Sequence, residues 1–458
     1  MSAVESRQLR MVALCGLLGY GYPLESLERA LALRPDLLGV DAGSTDPGPY
    51  YLGAGESFVS AAQVARDLEP ALCAAIARQI PLIVGTAGGS GAKPHLERCL
   101  ETVRAIAERN RLHFRLAVIP ADVPVATVLE ALREGRLAPH GHSQPLTEDY
   151  IRACSHLVAQ MGTAPIIRAL DGGAQVVIAG RCCDAAIFAA EPIRRGFDPG
   201  LALHLGKIME CGTLCARPAG ANDVLIGTIG TDYFEVVPAN PERICTPESV
   251  AAHSLYEQPD PNCFYEPEGK VELSNCLFEA VGKRAVKVSG TRLIPPAREA
   301  VKLEGARCVG YRSITIAGVR DPATIERLHD LERSVSATVT QALGDVVAPD
   351  QISLRFLRYG LEGVTGPLEG RPAPLPREVG LVIDAVAPSQ DLADRVLKLA
   401  RSTALHQHYE GRKTTAGNLA LPFSPSDFSG GPVYEFAVYH LMQNPDLSAL
   451  FPVEFQEV

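Results

Sequence analysis

Val176-Val177-Ile178-Ala179-Gly180-Arg181-Cys182-Cys183-Asp184 is the stretch that decides how this chain is read. Four apolar, mostly β-branched residues that stop on a glycine predict a strand buried on both faces, as in the middle of a parallel sheet. Ligands of open α/β sheets bind outside the carboxyl edge of such strands. Gly180 is therefore expected to bring backbone close to a ligand, with Arg181 and Asp184 facing it. The competing account is an Arg/Asp pair that caps the following helix.

Upstream, the pattern repeats. Apolar runs at residues 11–16, 37–40, 81–84 and 114–119 alternate with helical spacing over residues 24–33, 61–80, 95–110 and 125–134, and helices over 148–160 and 165–170 lead into the organising strand. Strand alternating with helix through five units predicts a parallel, doubly wound α/β sheet over residues 1–220. Two more of these strands end in polar loops. Asp41-Ala42-Gly43-Ser44-Thr45-Asp46-Pro47-Gly48 offers carboxylates and hydroxyls for a polar substrate or a metal, or simply makes a tight turn. Gly85-Thr86-Ala87-Gly88-Gly89-Ser90-Gly91 precedes Pro94-His95 and opens a helix. Free N–H groups at Gly88, Gly89 and Gly91 would form a cradle for a carboxylate or phosphate. The loop has neither the spacing of a dinucleotide fingerprint nor that of a Walker loop.

Past residue 220 the pattern changes. Period-two runs at 224–237, 271–277, 283–289, 311–319, 352–358 and 379–385 are interrupted by two good helices, 325–343 and 392–406. This predicts a smaller α+β domain over 221–458 with a mainly antiparallel sheet and a boundary near 217–222. Its most unusual segment, residues 406–427, is too polar and too punctuated for an element interior. There Arg412 could grip a carboxylate, with Asn418 and Ser426 orienting it, unless the segment is an ordered surface loop pinned by prolines.

Across its 458 residues the chain is 47% hydrophobic and 21% charged, which excludes extensive disorder. Its net charge of -10 disfavours nucleic acid as a partner. No apolar run is long enough to span a bilayer and the first nine residues are no signal peptide, so a cytoplasmic protein is expected. The twelve cysteines include no C-x-x-C pair, which argues for buried reduced thiols rather than a zinc ribbon or a redox motif. His140 and His142 share a loop that lacks a local third ligand. After Asp198-Pro199, His204, Lys207, Cys211 and Cys215 form one helical stripe beside Glu210, which lines either a cleft or a core.

These motifs together resemble the acyclic terpene utilisation (AtuA-like) family. The resemblance is carried by the Asp41 to Gly48 loop, the Gly85 to His95 turn, and Gly180-Arg181 with Asp184. It continues through residues 201–212, Glu304-Gly305-Ala306 with Val309-Gly310-Tyr311-Arg312, and Gly411-Arg412 to Ser426-Asp427. It implies a role near the catabolism of branched or unsaturated carboxylic acids, with carboxylate or acyl-CoA ligands. It also implies a small companion protein or a C-terminal extension. The chain ends at Val458 without such an extension, so the companion is expected as a separate subunit, and a homo-oligomer is expected. Cys182-Cys183 departs from the small and hydroxylated residues of the family pattern.

The expected function is therefore that of an enzyme, lyase- or isomerase-like, working by proton abstraction or by hydration and elimination. Asp184 and Asp46 are the expected acid and base, with His95 as a second choice. Arg181 and Arg412 are the anion anchors, helped by Ser44, Thr45, Gly88, Gly89, Gly91, Asn418 and Ser426. No cofactor and no bound metal are expected. The alternatives are a non-catalytic ligand-binding or scaffold subunit, and a metal-dependent hydrolase using Asp41, Asp46, His140 and His142.

Overall fold

In a computed structural model, residues 7–141, 143, 145–369, 374–412 and 416–458 are described. His142 lies outside them. The backbone divides into two compact units, one of residues 1–307 and 436–458, the other of residues 308–435.

The first unit is built on a ten-stranded mixed sheet. Its centre is five parallel strands: β1 (Leu9–Ala13), β2 (Leu37–Asp41), β3 (Leu82–Gly85), β4 (Arg115–Ile119) and β5 (Val176–Ala179). Their spatial order is β1-β2-β3-β5-β4. Antiparallel strands extend it on both sides. Beyond β1 come β6 (Leu225–Ile229), β7 (Tyr233–Pro238), then β9 (Ala285–Ser289) and β8 (Leu277–Val281); beyond β4 comes β10 (Glu454–Glu457). The expected purely parallel sheet is thus a mixed one. The division expected near 217–222 falls inside this unit, because β6 pairs directly with β1, Met11 opposite Gly227.

Each central strand buries both faces by alternation. Met11, Leu37, Ile83, Ala117 and Val177 point into one apolar layer, and Val12, Leu38, Val84, Val118 and Ile178 into the other. Helices α1 (Leu24–Ala32), α2 (Ala61–Arg78) and α3 (Lys93–Asn110) cover the second layer through Leu27, Leu68 and Val103. Helices α4 (Thr163–Asp171), α5 (Ala186–Arg194) and α6 (Pro199–Met209) cover the first through Ile166, Phe188 and Leu205. The helix expected over 148–160 stops at Arg152, and Cys154–Ala159 is instead a strand. It pairs antiparallel with the start of the long strand Ala300–Val319, Leu303 opposite Ala159, so a partner 144 residues away overrides local helical spacing.

The loops after β2, β3 and β5 interlock. Ala42 N–H donates to Gly85 O at 2.9 Å, Thr86 N–H to Gly180 O at 3.1 Å and Arg181 N–H to Gly91 O at 3.2 Å. Gly91 has φ +68°, and a Cβ on it would lie 2.1 Å from the Arg181 nitrogen. Gly91→Ala is therefore expected to cost about 3 kcal/mol, from left-handed strain plus overpacking. Denaturant unfolding measures it, and a loss below about 1 kcal/mol would show that the loops are not locked together.

The second unit follows a β-α-β-β-α-β succession. Its strands lie in the order Ser353–Tyr359, Val379–Ala387, then the later part of Ala300–Val319, then the first part of Asp427–Gln443. Helices α7 (Leu328–Leu343) and α8 (Gln390–His406) bury Val335, Val339, Val396 and Ala400 against Ala317, Leu381 and Ile383 of its sheet. Among the described residues of the chain, no helix is long and apolar enough to cross a membrane.

Candidate functional site

The interlocked loops of the first unit deliver charge to the carboxyl edge of β2, β3 and β5. Arg181, 2% exposed, is gripped by Glu304, which is fully buried on the strand paired with Cys154–Ala159. Its Nε donates to Glu304 Oε2 at 2.8 Å, Nη2 to Oε1 at 3.4 Å, and Nη1 to the Cys182 carbonyl at 2.9 Å. Lys302 Nζ at 2.8 Å and the Thr45 hydroxyl at 2.9 Å complete the shell of Glu304. Burial alone would push this carboxyl up, but Arg181 and Lys302 outweigh it and hold Glu304 at about 2. The Arg181 guanidinium is thus committed to protein partners.

Asp184 stands 3.5 Å from Arg181 Nη1, with a quarter of its side chain exposed. Its Oδ1 is buried and finds no hydrogen-bond donor among the described residues. Burial raises its pKa, Arg181 and Lys207 pull it back, and Asp46 pushes it up again. Asp46 itself is exposed and accepts from the Ser44 hydroxyl at 2.7 Å. Asp41, nearly buried at the end of β2, is pushed well above the carboxylate range by burial and by Asp184.

Helix α6 supplies the rest. Asp198 caps it, accepting from Leu201 N–H at 2.9 Å, and near its far end Lys207 Nζ lies 2.6 Å from Glu210 Oε1 with both side chains buried. Burial, Asp184 and Glu266 raise Glu210 to about 8 against the pull of Lys207. Glu266 arrives from the hairpin of Cys263–Glu266 and Gly269–Glu272, accepts from the Cys183 thiol at 2.5 Å, and is raised by burial to about 7. Four carboxyls, Asp41, Asp184, Glu210 and Glu266, thus gather near Lys207, Lys302 and Arg181. At neutral pH such a group holds protonated and ionised members side by side.

Several of the residues named from the sequence are held by partners within the protein. His95 is fully buried, and its Nε2 donates to the carbonyls of Tyr51 at 3.1 Å and Glu56 at 2.9 Å, with burial lowering its pKa. A Cβ on Gly89 would crowd Phe58, so Gly89, like Gly91, serves close packing of chain on chain. His204 is a satisfied core histidine, 2.8 Å from both the Thr291 and Ser254 hydroxyls. Arg412, Asn418 and Ser426 belong to the second unit. There Arg412 Nε donates to Asn418 Oδ1 at 2.9 Å, and Asn418 Nδ2 donates to the carbonyls of Ala404 and Gln407, tying down the end of α8. The Ser426 hydroxyl donates to Asp427, which also receives Arg401. Among the described residues no group of three or more His, Cys, Asp or Glu side chains is placed to hold a metal ion.

Comparison with protein families matches residues 59–222 and 235–424 to the acyclic terpene utilisation family protein AtuA. The chain belongs to the AtuA family. Membership implies a role in acyclic terpene utilisation. The AtuA match takes in Arg181, Asp184, Lys207, Glu210, Glu266 and Glu304, whereas the Asp41 to Asp46 loop lies outside it. Searches of curated proteins and of solved structures return no match.

Sequence reasoning points to Arg181, Asp184 and the 41–46 loop but misses Lys302 and Glu266 and gives Glu304 no chemical role. The available signal was Lys-x-Glu inside the otherwise apolar run Val301 to Ala306. Charge at alternate strand positions there would be costly without buried partners.

Proposed function

We propose that the first unit is an enzyme that performs acid–base chemistry on a small carboxylated or CoA-linked substrate, by proton abstraction or by hydration and elimination. One observation carries this reading. Asp184 keeps a carboxylate oxygen, 3.5 Å from Arg181 Nη1, with no hydrogen-bond donor among the described residues, and it neighbours Glu210, whose carboxyl is raised to about 8. In this reading Asp184 takes the proton from the carbon next to the carboxyl or thioester, and the electron pair moves onto the substrate oxygen. The Lys207 ammonium offsets that developing charge. In an elimination the electron pair returns to form the double bond, and Glu210 protonates the departing hydroxyl, which leaves as water. Hydration is the reverse.

The test does not require the natural substrate. Ligands found by thermal shift among carboxylates and acyl-CoA thioesters are followed by NMR for exchange of the α-proton in deuterated water and for loss of a β-hydroxyl. Elimination should fall off as pH rises through about 8, where Glu210 loses its proton. Glu210→Gln should lower it at least about a hundredfold and abolish that alkaline limb. An unchanged limb in the variant would exclude Glu210 as the acid.

A further inference from the structure

A cleft of about 560 Å³ opens beside the same strand edge, on the side of α2 and α3. Its volume is in the range of small-molecule sites. Ala42, next to Asp41, and Gly88 form part of its wall, and Leu18, Val59 and Val64 give it an apolar floor. Arg98 stands at the rim. One amino group of its guanidinium, Nη1, is fixed by the Gly55 carbonyl, while Nε and Nη2 have no partner among the described residues. The first turn of α2, through Ser60 and Ala61, also borders the cleft and adds the positive end of an 18-residue helix.

We propose that this cleft binds an amphipathic monocarboxylate, its chain on Leu18, Val59 and Val64 and its carboxylate on Arg98. A guanidinium held by one edge is pre-aligned to offer the other to a carboxylate. Glu56 and Glu101 also line the cleft, so a second or third negative charge on the ligand would meet repulsion. That selects a singly charged head and rejects the phosphates of a nucleotide or of CoA. The choice of a carboxylate agrees with the acid–base reading above and rests on it only for the head group.

The experiment is calorimetric titration of the full-length protein with octanoate, octanol, octylamine and CoA. Octanoate should bind at least tenfold more tightly than the other three. Arg98→Gln should weaken octanoate at least tenfold and leave octanol unchanged. Val64→Phe, which fills the floor with Arg98 intact, should weaken both octanoate and octanol. Circular dichroism and the unfolding midpoint confirm that each variant folds. Failure of octanoate to bind the wild type, equal binding of octylamine or octanol, or an indifferent Arg98→Gln variant overturns the proposal. Octanoate binding that depends on Arg98 in a protein that exchanges no α-proton would uphold the cleft and remove the catalytic reading, so the two fail separately.

Discussion

Glu304→Ala is expected to destabilise the first unit by about 3–5 kcal/mol, the usual cost of removing one partner from a buried ion pair. The substitution strands the Arg181 guanidinium, 2% exposed, with only the Cys182 carbonyl, the Thr86 hydroxyl and a distant Asp184 for company. It also frees Lys302 and the Thr45 hydroxyl. Urea unfolding of wild type and variant measures the loss, and a value below about 1 kcal/mol would mean that Arg181 relaxes into solvent. The pH dependence follows from the same pair. Glu304 falls from an ordinary 4.5 to about 2 on folding, so its contribution is fully present above 4.5 and is lost as pH drops toward 2. Glu210 works in the other sense. Raised from 4.5 to about 8, it is most favourable to folding below 4.5 and costs stability progressively as pH climbs to 8. Wild-type stability should therefore slope downward across neutrality, and Glu210→Gln should flatten that slope.

Asp184→Asn is expected to lower α-proton exchange by about 10²–10⁴-fold while ligand affinity stays within a few fold. The amide has the shape of the carboxylate but takes no proton near neutral pH, and Arg181 keeps Glu304 as its main partner, so the fold should survive. A second effect separates a chemical role from a structural one. The Asp184 charge helps to raise both Asp41 and Glu210, so its removal lets their pKa values fall, and whatever activity remains should lose its acid form at lower pH than the wild type. Full exchange activity in Asp184→Asn would remove this residue from the mechanism.

The parallel core is legible in the sequence because each of its strands is a short apolar run ending in a polar or glycine-rich loop, and parallel strands bring such ends to one edge. That logic alone places Arg181, Asp184, Thr45 and the 86–91 loop near one another. It cannot supply Glu304 and Glu266, which arrive more than 80 residues later in the chain through long-range strand pairing and a hairpin. For the same reason the alternating strands 225–229 and 233–238 look like the start of a new domain, although antiparallel pairing adds them to the first sheet. An arginine's identity also says nothing about whether it is spoken for. Arg181 and Arg412 are both occupied by protein acceptors, while Arg98, which in the sequence is an ordinary polar residue of a helix, keeps donors to spare.

The interlocked glycine loops restrict how this site can change over time. Where Gly43 presses on Gly89 and Gly91 on Arg181, backbone meets backbone with no room for a Cβ. At those glycine positions new specificities cannot be written by adding side chains. Room for change lies instead in the side chains around them, on the hairpin that carries Glu266 and on the helix faces that line the cleft.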